Sequence, residues 1–442
     1  MPIRYHGSSS TLKEVAVPEP TNGAVCANPP ISQRIIQLGS CYENDIIALR
    51  RHFHQNPELS AHETQTSERL CAELDALGVE YRRISGPRPE GQRTERDEFI
   101  GTGIIATIRG DAPGAYDDQG KPARRIALRT DIDALPITER TEAPFASQNE
   151  GVMHACGHDC HMAMMLGAVR MLNEMKACLR GEVRIIFQPA EEISIGARDM
   201  IAAGALDGVD AIYGAHIWSE VDAGTFSCEP GPRMANTDWF RIDIQGVSAH
   251  GSMPHKGVDA IVIAAEIIDT IQTIVSRRTS PFEPVVITIG EIHGGTARNI
   301  MAGSAYLTGT VRTWHQDVRD RIADRMERIA GKTAHAMGAE ITFTFEAGNP
   351  AVVNDPVCAE AARTAVCEVL GENAVSLYEG TLAGEDFAEY LRLIPGVFVF
   401  VGARNPAVGA EHPQHSCYYT IDESALAKGA MVAAQWACDM LA

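Results

Sequence analysis

The chain has 442 residues, of which 45% are apolar, so it is long enough for two domains with separate hydrophobic cores. Its formal net charge of -20 at pH 7 argues against a nucleic-acid partner, which needs clustered Lys and Arg, and against anionic lipid headgroups. No apolar run approaches the roughly 20 residues of a membrane span, and the N-terminus lacks a cationic stretch followed by an apolar core, so we expect a cytoplasmic enzyme acting on a small molecule, with no membrane partner.

The first half of the chain alternates helix-like and strand-like segments. Residues 1–40 carry several serines and prolines and little apolar periodicity, which predicts a poorly ordered arm. Helical spacing of apolar residues begins at Tyr42, and helices are also predicted from His62 to Leu77 and from about His161. Short apolar runs predict strands at 104–108, 126–128, 183–187 and 211–215. Strands that alternate with helices are typical of the α/β class.

A second pattern begins near Thr225 and predicts an inserted module. Its order of strand, helix, strand, strand, helix, strand is that of a ferredoxin-like α+β unit. The six segments are Phe240–Ile244, Val258–Arg277, Val285–Ile289, Ala305–Arg312, Val318–Met337 and Ile341–Phe345. Because α/β signals resume afterwards, the sequence predicts a discontinuous catalytic domain, residues 41–225 and 346–442, interrupted by an inserted domain, residues 226–345.

The chain contains eleven cysteines, an odd number without regular spacing. Such a set is typical of reduced thiols inside a core rather than of a disulfide framework. Buried free cysteine usually behaves as a small hydrophobe. We interpret six of the cysteines in this way, namely Cys26, Cys41, Cys71, Cys178, Cys358 and Cys367. Cys156 is the exception, because it lies among histidines.

The run His154-Ala155-Cys156-Gly157-His158-Asp159-Cys160-His161 concentrates candidate metal ligands in a short stretch. A thiolate and an imidazole bind divalent transition ions directly, and Gly157 allows two side chains to converge from one irregular turn. A paired carboxylate, Glu191-Glu192, follows an apolar run, and the isolated histidines His216 and His415 stand near predicted strand ends. Together these residues indicate a metal-dependent hydrolase.

These motifs occur together in one known branch of amidohydrolases. Their order and spacing resemble those of aminoacylases of the hippurate hydrolase and indole-acetyl-amino-acid hydrolase type, within the large family of dinuclear metal exopeptidases and deacylases. The resemblance runs from about Tyr42 to the C-terminus. It implies a metallo-exopeptidase-like α/β catalytic domain with an inserted ferredoxin-like lid and dimerisation domain. The motifs that carry it are Leu128–Ile137, His154–His161, Phe187–Glu192, Gly384–Phe387 and His415–Ser416.

The resemblance implies a centre of two divalent metal ions per subunit. Cys156 would bridge the ions, because a thiolate stabilised by both ions offsets their mutual repulsion. The remaining ligands would be His158, Glu192, His216 and His415, with His412 as a rival of His415. Cysteine and histidine favour Zn²⁺, while oxygen ligands and the resemblance keep Mn²⁺ open. His154 and His161 are left as supporting or packing residues.

The adjacent Glu191 and Glu192 need different roles, because neighbouring side chains of an extended chain point to opposite sides. The resemblance makes Glu191 the general base that takes a proton from the attacking water and makes Glu192 a ligand. A metal lowers the pKa of water from about 15.7 towards about 7, which leaves a short proton transfer to a carboxylate. Asp131 and Asp133 are expected to orient the ligand imidazoles or steady the site.

The inserted domain supplies further candidates through the resemblance. His250 matches a histidine that reaches into the active site of a neighbouring subunit and polarises the scissile carbonyl. Asn299 and Arg312 match positions that bind the amide or carboxylate end of the substrate, and arginine suits a carboxylate by its bidentate geometry. Gly384 lies in an expected pocket-shaping loop. The implied assembly is a homodimer through the inserted domain, with a higher oligomer left open.

The expected reaction is hydrolysis of the amide bond of an N-acyl-amino acid to a carboxylic acid and a free amino acid. Two other activities use the same metals, namely a dipeptidase or carboxypeptidase activity and hydrolysis of N-carbamoyl-amino acids. They differ in pocket residues that the sequence does not identify. A metal-binding protein without catalysis is the remaining alternative, and Glu191 argues against it, because such a protein has no need of a base.

Overall fold

The computed structural model describes residues 30–84, 86–87, 98–99 and 101–442. They divide into two compact units. Unit 1 contains the described residues up to Gly231 together with Asn354–Tyr378 and Glu389–Ala442, and unit 2 contains Pro232–Val353 and Glu379–Ala388. The sequence predicts a single insertion over residues 226–345, whereas unit 2 starts later, extends further and takes a second segment. Residues 226–227 stay in unit 1 because they pair as a strand with its central sheet.

The α-helices of the described residues are α1 (Ile31–Gln55), α2 (Thr64–Leu77), α3 (His158–Glu174), α4 (Gly196–Ala202), α5 (Ala260–Arg278), α6 (Gln316–Ala336), α7 (Pro356–Leu370), α8 (Ala388–Leu391) and α9 (Ser424–Met440). The strands are β1 (Glu80–Arg83), β2 (Gly86–Pro87), β3 (Glu98–Phe99), β4 (Ile104–Arg109), β5 (Arg125–Asp131), β6 (Glu182–Gln188), β7 (Ala211–Asp222), β8 (Phe226–Ser227), β9 (Gly231–Met234), β10 (Asn236–Gln245), β11 (Ala249–His250), β12 (Val285–Gly294), β13 (Ile300–Met301), β14 (Ser304–Thr313), β15 (Glu340–Ala347), β16 (Val352–Asn354) and β17 (Gly396–Arg404).

Unit 1 is built around a mixed seven-stranded sheet with the strand order β1-β4-β6-β5-β7-β17-β8. Its central strands β6, β5, β7 and β17 are parallel, and the outer strands run antiparallel to their neighbours. Every residue of β17 except the last is buried, which is typical of a parallel strand covered on both faces. Helices α1, α3, α7 and α9 pack together in the same core. The predicted α/β class is confirmed.

Helix α3 is held deep inside unit 1, which fixes the position of its first residue, His158. A Cβ added at Gly167 would lie 2.6 Å from Cδ1 of Ile46 and 2.9 Å from Cβ of Ala430, so α1 and α9 approach this helix closely. At its N-terminus the buried carboxylate of Asp159 accepts hydrogen bonds from Arg50 Nε and His54 Nδ1, both at 2.8 Å. The helix therefore presents His158 at a defined place.

Unit 2 contains a four-stranded antiparallel sheet with the order β12-β14-β10-β15. With the strands numbered 1 to 4 along the chain, this order is 2-3-1-4, the ferredoxin-like arrangement. Alternate residues of β10, such as Phe240 and Ile242, join a core with the apolar faces of α5 and α6. The other face of the sheet carries polar side chains, including Arg241 and Asp243.

The prediction that residues 1–40 form a poorly ordered arm is wrong for residues 31–40, because α1 begins at Ile31. Ile35 is fully buried and Leu38 is 5% exposed, so they join the core. Apolar residues at 31, 35, 38, 42, 46 and 49 have helical spacing, which the preceding prolines obscured. Residues 1–29 lie outside the described residues. Helix α3 also begins earlier than predicted, at His158 rather than near His161.

The cysteines are less uniform than the sequence suggested. Cys71 and Cys358 are buried free thiols as predicted, but Cys41 and Cys178 are exposed and Cys367 is half-buried. Cys41 lies on the solvent side of α1, and Cys178 ends a short turn after α3. Cys26 lies outside the described residues. Within the described ranges, none of the helices combines the length and the apolar composition that crossing a membrane requires.

Candidate metal centre

Gly157 brings Cys156 and His158 together at the start of α3. Its φ of 96° is in the left-handed region, and an added Cβ would lie 2.4 Å from Ile217 Cγ2 and 3.0 Å from Tyr419 Oη. Only glycine therefore fits at this turn. The Sγ of Cys156 lies 3.4 Å from Nε2 of His216, a residue of β7. The turn thus places the thiol beside the first of the separate histidines.

Backbone carbonyls fix the tautomers of two histidines. His158 Nδ1 donates to the carbonyl oxygen of Asp133 at 2.8 Å, and His216 Nδ1 donates to that of Ile217 at 2.6 Å. A carbonyl only accepts, so each Nδ1 carries a proton and a metal ion would bind through Nε2. The Nε2 of His158 is buried and has no hydrogen-bond partner among the described residues. Nε2 is therefore the nitrogen that each imidazole presents to a metal ion.

Two groups of candidate ligands share one thiol. Cys156, His158 and His216 have ligand atoms within 4.8 Å of one another, and so do Cys156, Glu192 and His415. All five residues belong to unit 1. Oε1 of Glu192 is buried without a hydrogen-bond partner among the described residues, as expected of an oxygen that awaits a cation. The residues therefore fit two ions, and Cys156 is common to both groups of candidate ligands.

His415, and not its rival His412, enters this arrangement. Its backbone N–H donates to the carbonyl oxygen of Ala155 at 2.8 Å, which ties it to the residue before Cys156. His415 has a φ of 64°, a left-handed conformation that is costly for a residue with a side chain and recurs at functional sites. The ring of His412 instead packs against Tyr418, with centroids 5.5 Å apart.

Glu191 and Glu192 do not lie in an extended chain, so the expectation that they point to opposite sides is wrong. Ala190 has a φ of 54°, which turns the chain out of β6 immediately before them. In the resulting turn, carboxylate oxygens of both residues and a ring nitrogen of His158 lie within 4.8 Å of one another. Glu191 is 8% exposed. Both carboxylates therefore face the candidate centre.

Asp133 holds a candidate ligand through a hydrogen bond, and Asp131 holds the neighbouring His161. Asp131 accepts from His161 Nδ1 at 2.6 Å and from Arg129 at 2.8 Å. His161 Nε2 in turn accepts from the backbone N–H of Ile217 at 2.8 Å, so neither nitrogen of His161 is left for a metal. Asp133 Oδ2 accepts from the backbone N–H of Glu192 at 3.1 Å. Both ring nitrogens of His161 are therefore engaged by protein groups rather than left for an ion.

His154 is a buried neutral imidazole. Both ring nitrogens are buried without a hydrogen-bond partner among the described residues. Burial lowers the pKa of His154 to about 3. A supporting or packing role for His154 stays a prediction.

The electrostatics of the centre favour bound cations. Burial would lower the pKa of His158, but Asp131 and Asp133 raise it to about 10. Burial raises the pKa of the Cys156 thiol well above its usual range, and Glu192 and Glu191 raise it further. Burial also raises the pKa of the Glu192 carboxyl to about 7. The excess of acidic groups is what a site for divalent cations requires, and thiol, imidazole and carboxylate are ligands that zinc accepts.

The candidates in unit 2 form two separate pairs. His250 lies opposite Ile300 in the β11–β13 pairing, and Gly251 N–H donates to the carbonyl oxygen of Asn299 at 2.9 Å. His250 and Asn299 are thus neighbours, and both are exposed. The second pair meets at Thr237, which pairs with Arg312 and lies 2.2 Å from a Cβ added at Gly384.

The two pairs lie near opposite ends of β10. Thr237 is the second residue of this strand, and β11 follows after its last residue, Gln245. The eight residue-to-residue steps from 237 to 245 span about 26 Å at roughly 3.3 Å per step. One small substrate cannot contact both pairs of a single subunit.

One supporting residue was missed at the level of sequence. The carboxylate of Glu63 is fully buried and accepts a hydrogen bond from the backbone N–H of Ala190 at 3.0 Å. A glutamate beside a predicted helix is ordinarily a surface or capping residue, so the position of Glu63 in the chain did not indicate a contact with Ala190. Only the three-dimensional contact identifies it.

Family and sequence comparisons agree with the resemblance. The model of peptidase family M20/M25/M40 matches residues 127–439. The N-acetyl-L-cysteine deacetylase of Bacillus subtilis (strain 168) is 37% identical over 393 residues, which cover 88% of this chain and 86% of the deacetylase. Thermostable carboxypeptidase 2 of Saccharolobus solfataricus is 38% identical over 392 residues, which cover 88% of this chain and 93% of that protein.

A solved structure adds the metal content of a relative. The YXEP protein of Bacillus subtilis, a dinuclear metal binding peptidase from the M20 family, superimposes with a TM-score of 0.77 at 34% identity, over 91% of this chain and 99% of that chain. An α/β fold with this donor set defines a metal-dependent hydrolase. The chain belongs to peptidase family M20/M25/M40, which confirms the family resemblance drawn from its motifs.

Proposed function

We propose that the protein hydrolyses the amide bond of N-acyl-amino acids, releasing a carboxylic acid and a free amino acid. The observation that carries this proposal is the pair of ligand groups that share Cys156, with the Glu191 carboxylate beside them. The 37% identity to an N-acetyl-L-cysteine deacetylase, over most of both chains, supports this substrate class. The proposed substrate is thus a small molecule.

The side chains of the centre divide the chemical work. Cys156, His158, Glu192, His216 and His415 would hold two divalent ions, and the chemistry these supply is acidification of the attacking water. Glu191 accepts the proton of that water and delivers it to the departing amine nitrogen. Asp133 holds Glu192 and His158 in place through hydrogen bonds.

The donor set favours Zn²⁺ and leaves Mn²⁺ as the second choice. A thiolate between the sites and three imidazoles are borderline to soft ligands, which zinc accepts readily. Glu192 contributes the harder oxygen that manganese prefers. The free thiols of the described residues suit a reducing compartment, and we place the enzyme in the cytoplasm.

A peptidase activity is the second candidate. The 38% identity to a thermostable carboxypeptidase covers as much of this chain as the identity to the deacetylase does. Both activities would use the same centre and differ in what occupies the amide's acyl side.

The function is tested with protein reconstituted with Zn²⁺ or Mn²⁺ and assayed for release of free amino acid. We expect N-acetyl- and N-benzoyl-amino acids to be cleaved with higher kcat/KM than dipeptides and N-carbamoyl-amino acids of the same amino acid. Higher kcat/KM on dipeptides would favour the peptidase, and higher kcat/KM on N-carbamoyl compounds the carbamoyl hydrolase. Absence of turnover on all three classes, with metals bound, would overturn the proposal.

We also propose a homodimer in which unit 2 of each subunit completes its partner's site. The separation of about 26 Å between the His250 and Arg312 ends of β10 supports this, because one substrate cannot contact both in one subunit. His250 would polarise the scissile carbonyl with Asn299 nearby, while Arg312 would bind the amide or carboxylate end of a substrate and Gly384 would lie in the loop that shapes the pocket. Hydrogen bonds from Ser252 N–H and Oγ to His250 Nδ1 leave Nε2 as the proton donor.

His250→Ala is expected to lower kcat by about 10²–10³-fold, because a donor to a developing oxyanion is worth ~3–4 kcal/mol. When His250→Ala and Glu191→Gln subunits are dissociated, mixed and allowed to reassociate, the heterodimers among them have one intact site. Activity should return to about a quarter of wild type for random pairing. Verified heterodimers without recovery would place His250 in its own subunit's site, or outside catalysis. Variant His255→Ala, in the same exposed loop, is the control and should stay near wild type.

A further inference from the structure

A buried carboxylate outside the metal centre holds the turn that carries the proposed general base. Glu63 is fully buried at the start of α2, in unit 1. Its Oε1 accepts hydrogen bonds from the backbone N–H groups of Ala61 at 2.9 Å and Ala190 at 3.0 Å, and its Oε2 accepts one from Thr102 Oγ1 at 2.8 Å. Burying a carboxylate is costly unless it is hydrogen-bonded, so these contacts explain why it is tolerated.

Capping of α2 does not account for this residue. Glu63 occupies the N-cap position of the helix, but its side chain makes no capping hydrogen bond to the helix's own first turn. The carboxylate points instead to a residue that is 127 positions further along the chain. Its contacts therefore serve a different part of unit 1.

Ala190 needs such a contact because of its backbone conformation. Its φ of 54° is in the left-handed region, where a residue with a side chain is disfavoured, and it is fully buried. The turn closes when the Ala190 carbonyl accepts from Gly196 N–H at 3.2 Å. Strained backbone of this kind persists only where the surroundings hold it. The bond from Ala190 N–H to Glu63 is one of the contacts that do so.

The backbone N–H groups of the residues before and after Glu191 donate hydrogen bonds to buried carboxylates. Ala190 N–H donates to Glu63, and Glu192 N–H donates to Asp133 Oδ2 at 3.1 Å. Asp133 Oδ2 also accepts from Ser60 Oγ at 2.6 Å. The short connection from Ser60 to Glu63, between α1 and α2, is thus joined to both anchors of the turn. A carboxylate oxygen of Glu191, between these two anchors, lies within 4.8 Å of a ring nitrogen of His158.

We propose that Glu63 is a positioning residue that fixes the Glu191–Glu192 turn in the geometry that proton transfer requires. The inference rests on the proposed function, because it assigns Glu63 a role in placing the general base. Proton transfer demands hydrogen-bond reach, and a displacement of about 1 Å can lower the rate by about 10²-fold. Glu63 touches neither the ions nor the substrate in this role.

The central variant is Glu63→Met, which keeps much of the side-chain volume and removes the acceptor from Ala190. We expect kcat to fall by at least tenfold, while KM changes by less than about threefold and two ions remain bound per subunit. Glu63→Gln retains an amide oxygen at the position of Oε1 and should recover kcat to within about threefold of wild type. If Glu63 only stabilised the fold, its removal would lower the amount of folded protein. It would not lower kcat at unchanged metal content in a way that Glu63→Gln reverses.

Thr102→Val provides a matched control. It removes the hydroxyl that binds the other oxygen of the same buried carboxylate and leaves the bond to Ala190 in place. All variants are compared at a temperature well below their midpoints of thermal unfolding, so that loss of folded protein does not enter kcat. We expect Thr102→Val to lower the midpoint and to leave kcat within about twofold of wild type.

Several outcomes would overturn the inference. A Glu63→Met enzyme with wild-type kcat would do so. So would a Thr102→Val enzyme that loses as much kcat and as much stability as Glu63→Met does. Where Glu63→Met does not fold, Glu63→Ala, which leaves room for water, takes its place with the same expected loss. Wild-type protein that is inactive on all amides would reject the proposed function itself, whereas active wild type beside active Glu63 variants rejects this inference alone.

Discussion

Glu191→Gln should lower kcat by about 10²–10⁴-fold while the protein keeps both metal ions, because a general base contributes about this much to the rate. Glutamine preserves the shape of the turn that begins at Ala190 but accepts no proton. KM should change little, since the amide still occupies the same space. The measurements are steady-state kinetics of metal-reconstituted protein and metal content by elemental analysis.

Glu192→Gln is the matched comparison, since it changes the neighbouring residue in the same turn. Its Oε1 lies within one ligand group with Cys156 and His415, so this variant should lose affinity for one ion. The assignment is reversed if Glu191→Gln loses metal and Glu192→Gln retains two ions. Equal metal loss in both variants would mean that neither residue acts purely as a base.

Cys156→Ala should weaken both metal sites together and reduce activity to below about 1% of wild type, because one thiol belongs to both ligand groups. His216→Ala, which removes a ligand from only one group, should weaken one site more than the other. Titration of metal-free protein with Zn²⁺ or Mn²⁺ measures the affinity of each site. Cys160→Ala removes a buried thiol four positions away and should bind two ions as wild type does.

The same titration carries a pH dependence with a defined sign. Burial, followed by the neighbouring Glu192 and Glu191, raises the pKa of the Cys156 thiol well above its usual range. A bound ion must therefore displace a proton, and metal affinity in the wild type should rise with pH, by up to about tenfold per pH unit for each proton released.

Two unaffected sites in Cys156→Ala would contradict a thiol shared by both ions.

Much of this centre could be predicted because its chemistry is local in the chain. Cys156 and His158 are separated by one glycine, and the turn conformation that glycine permits was the reason to pair them. The seven-stranded sheet of unit 1 then places the carboxyl end of β6 beside them, as expected where parallel strands end together. Strand periodicity and helical spacing were sufficient for the α/β class.

Other features depend on contacts that no local pattern encodes. Glu63 is joined to Ala190 across 127 positions, and the choice of His415 over His412 depends on a backbone hydrogen bond to Ala155. The orientation of Glu191 and Glu192 was misjudged because the left-handed Ala190 is not a residue type that signals a turn. The start of α1 was misjudged because two prolines precede a regular helical repeat.

The length of β10 sets the distance between the His250 and Arg312 ends of unit 2. Deleting two residues would keep the alternation of its two faces but shorten the strand by about 7 Å. The core face with Phe240 and Ile242 would survive, while the distance between the His250 and Arg312 ends would no longer match the spacing of the two active sites in the proposed dimer. In the proposed dimer, the length of this strand is therefore fixed by the need to complete two catalytic sites at once.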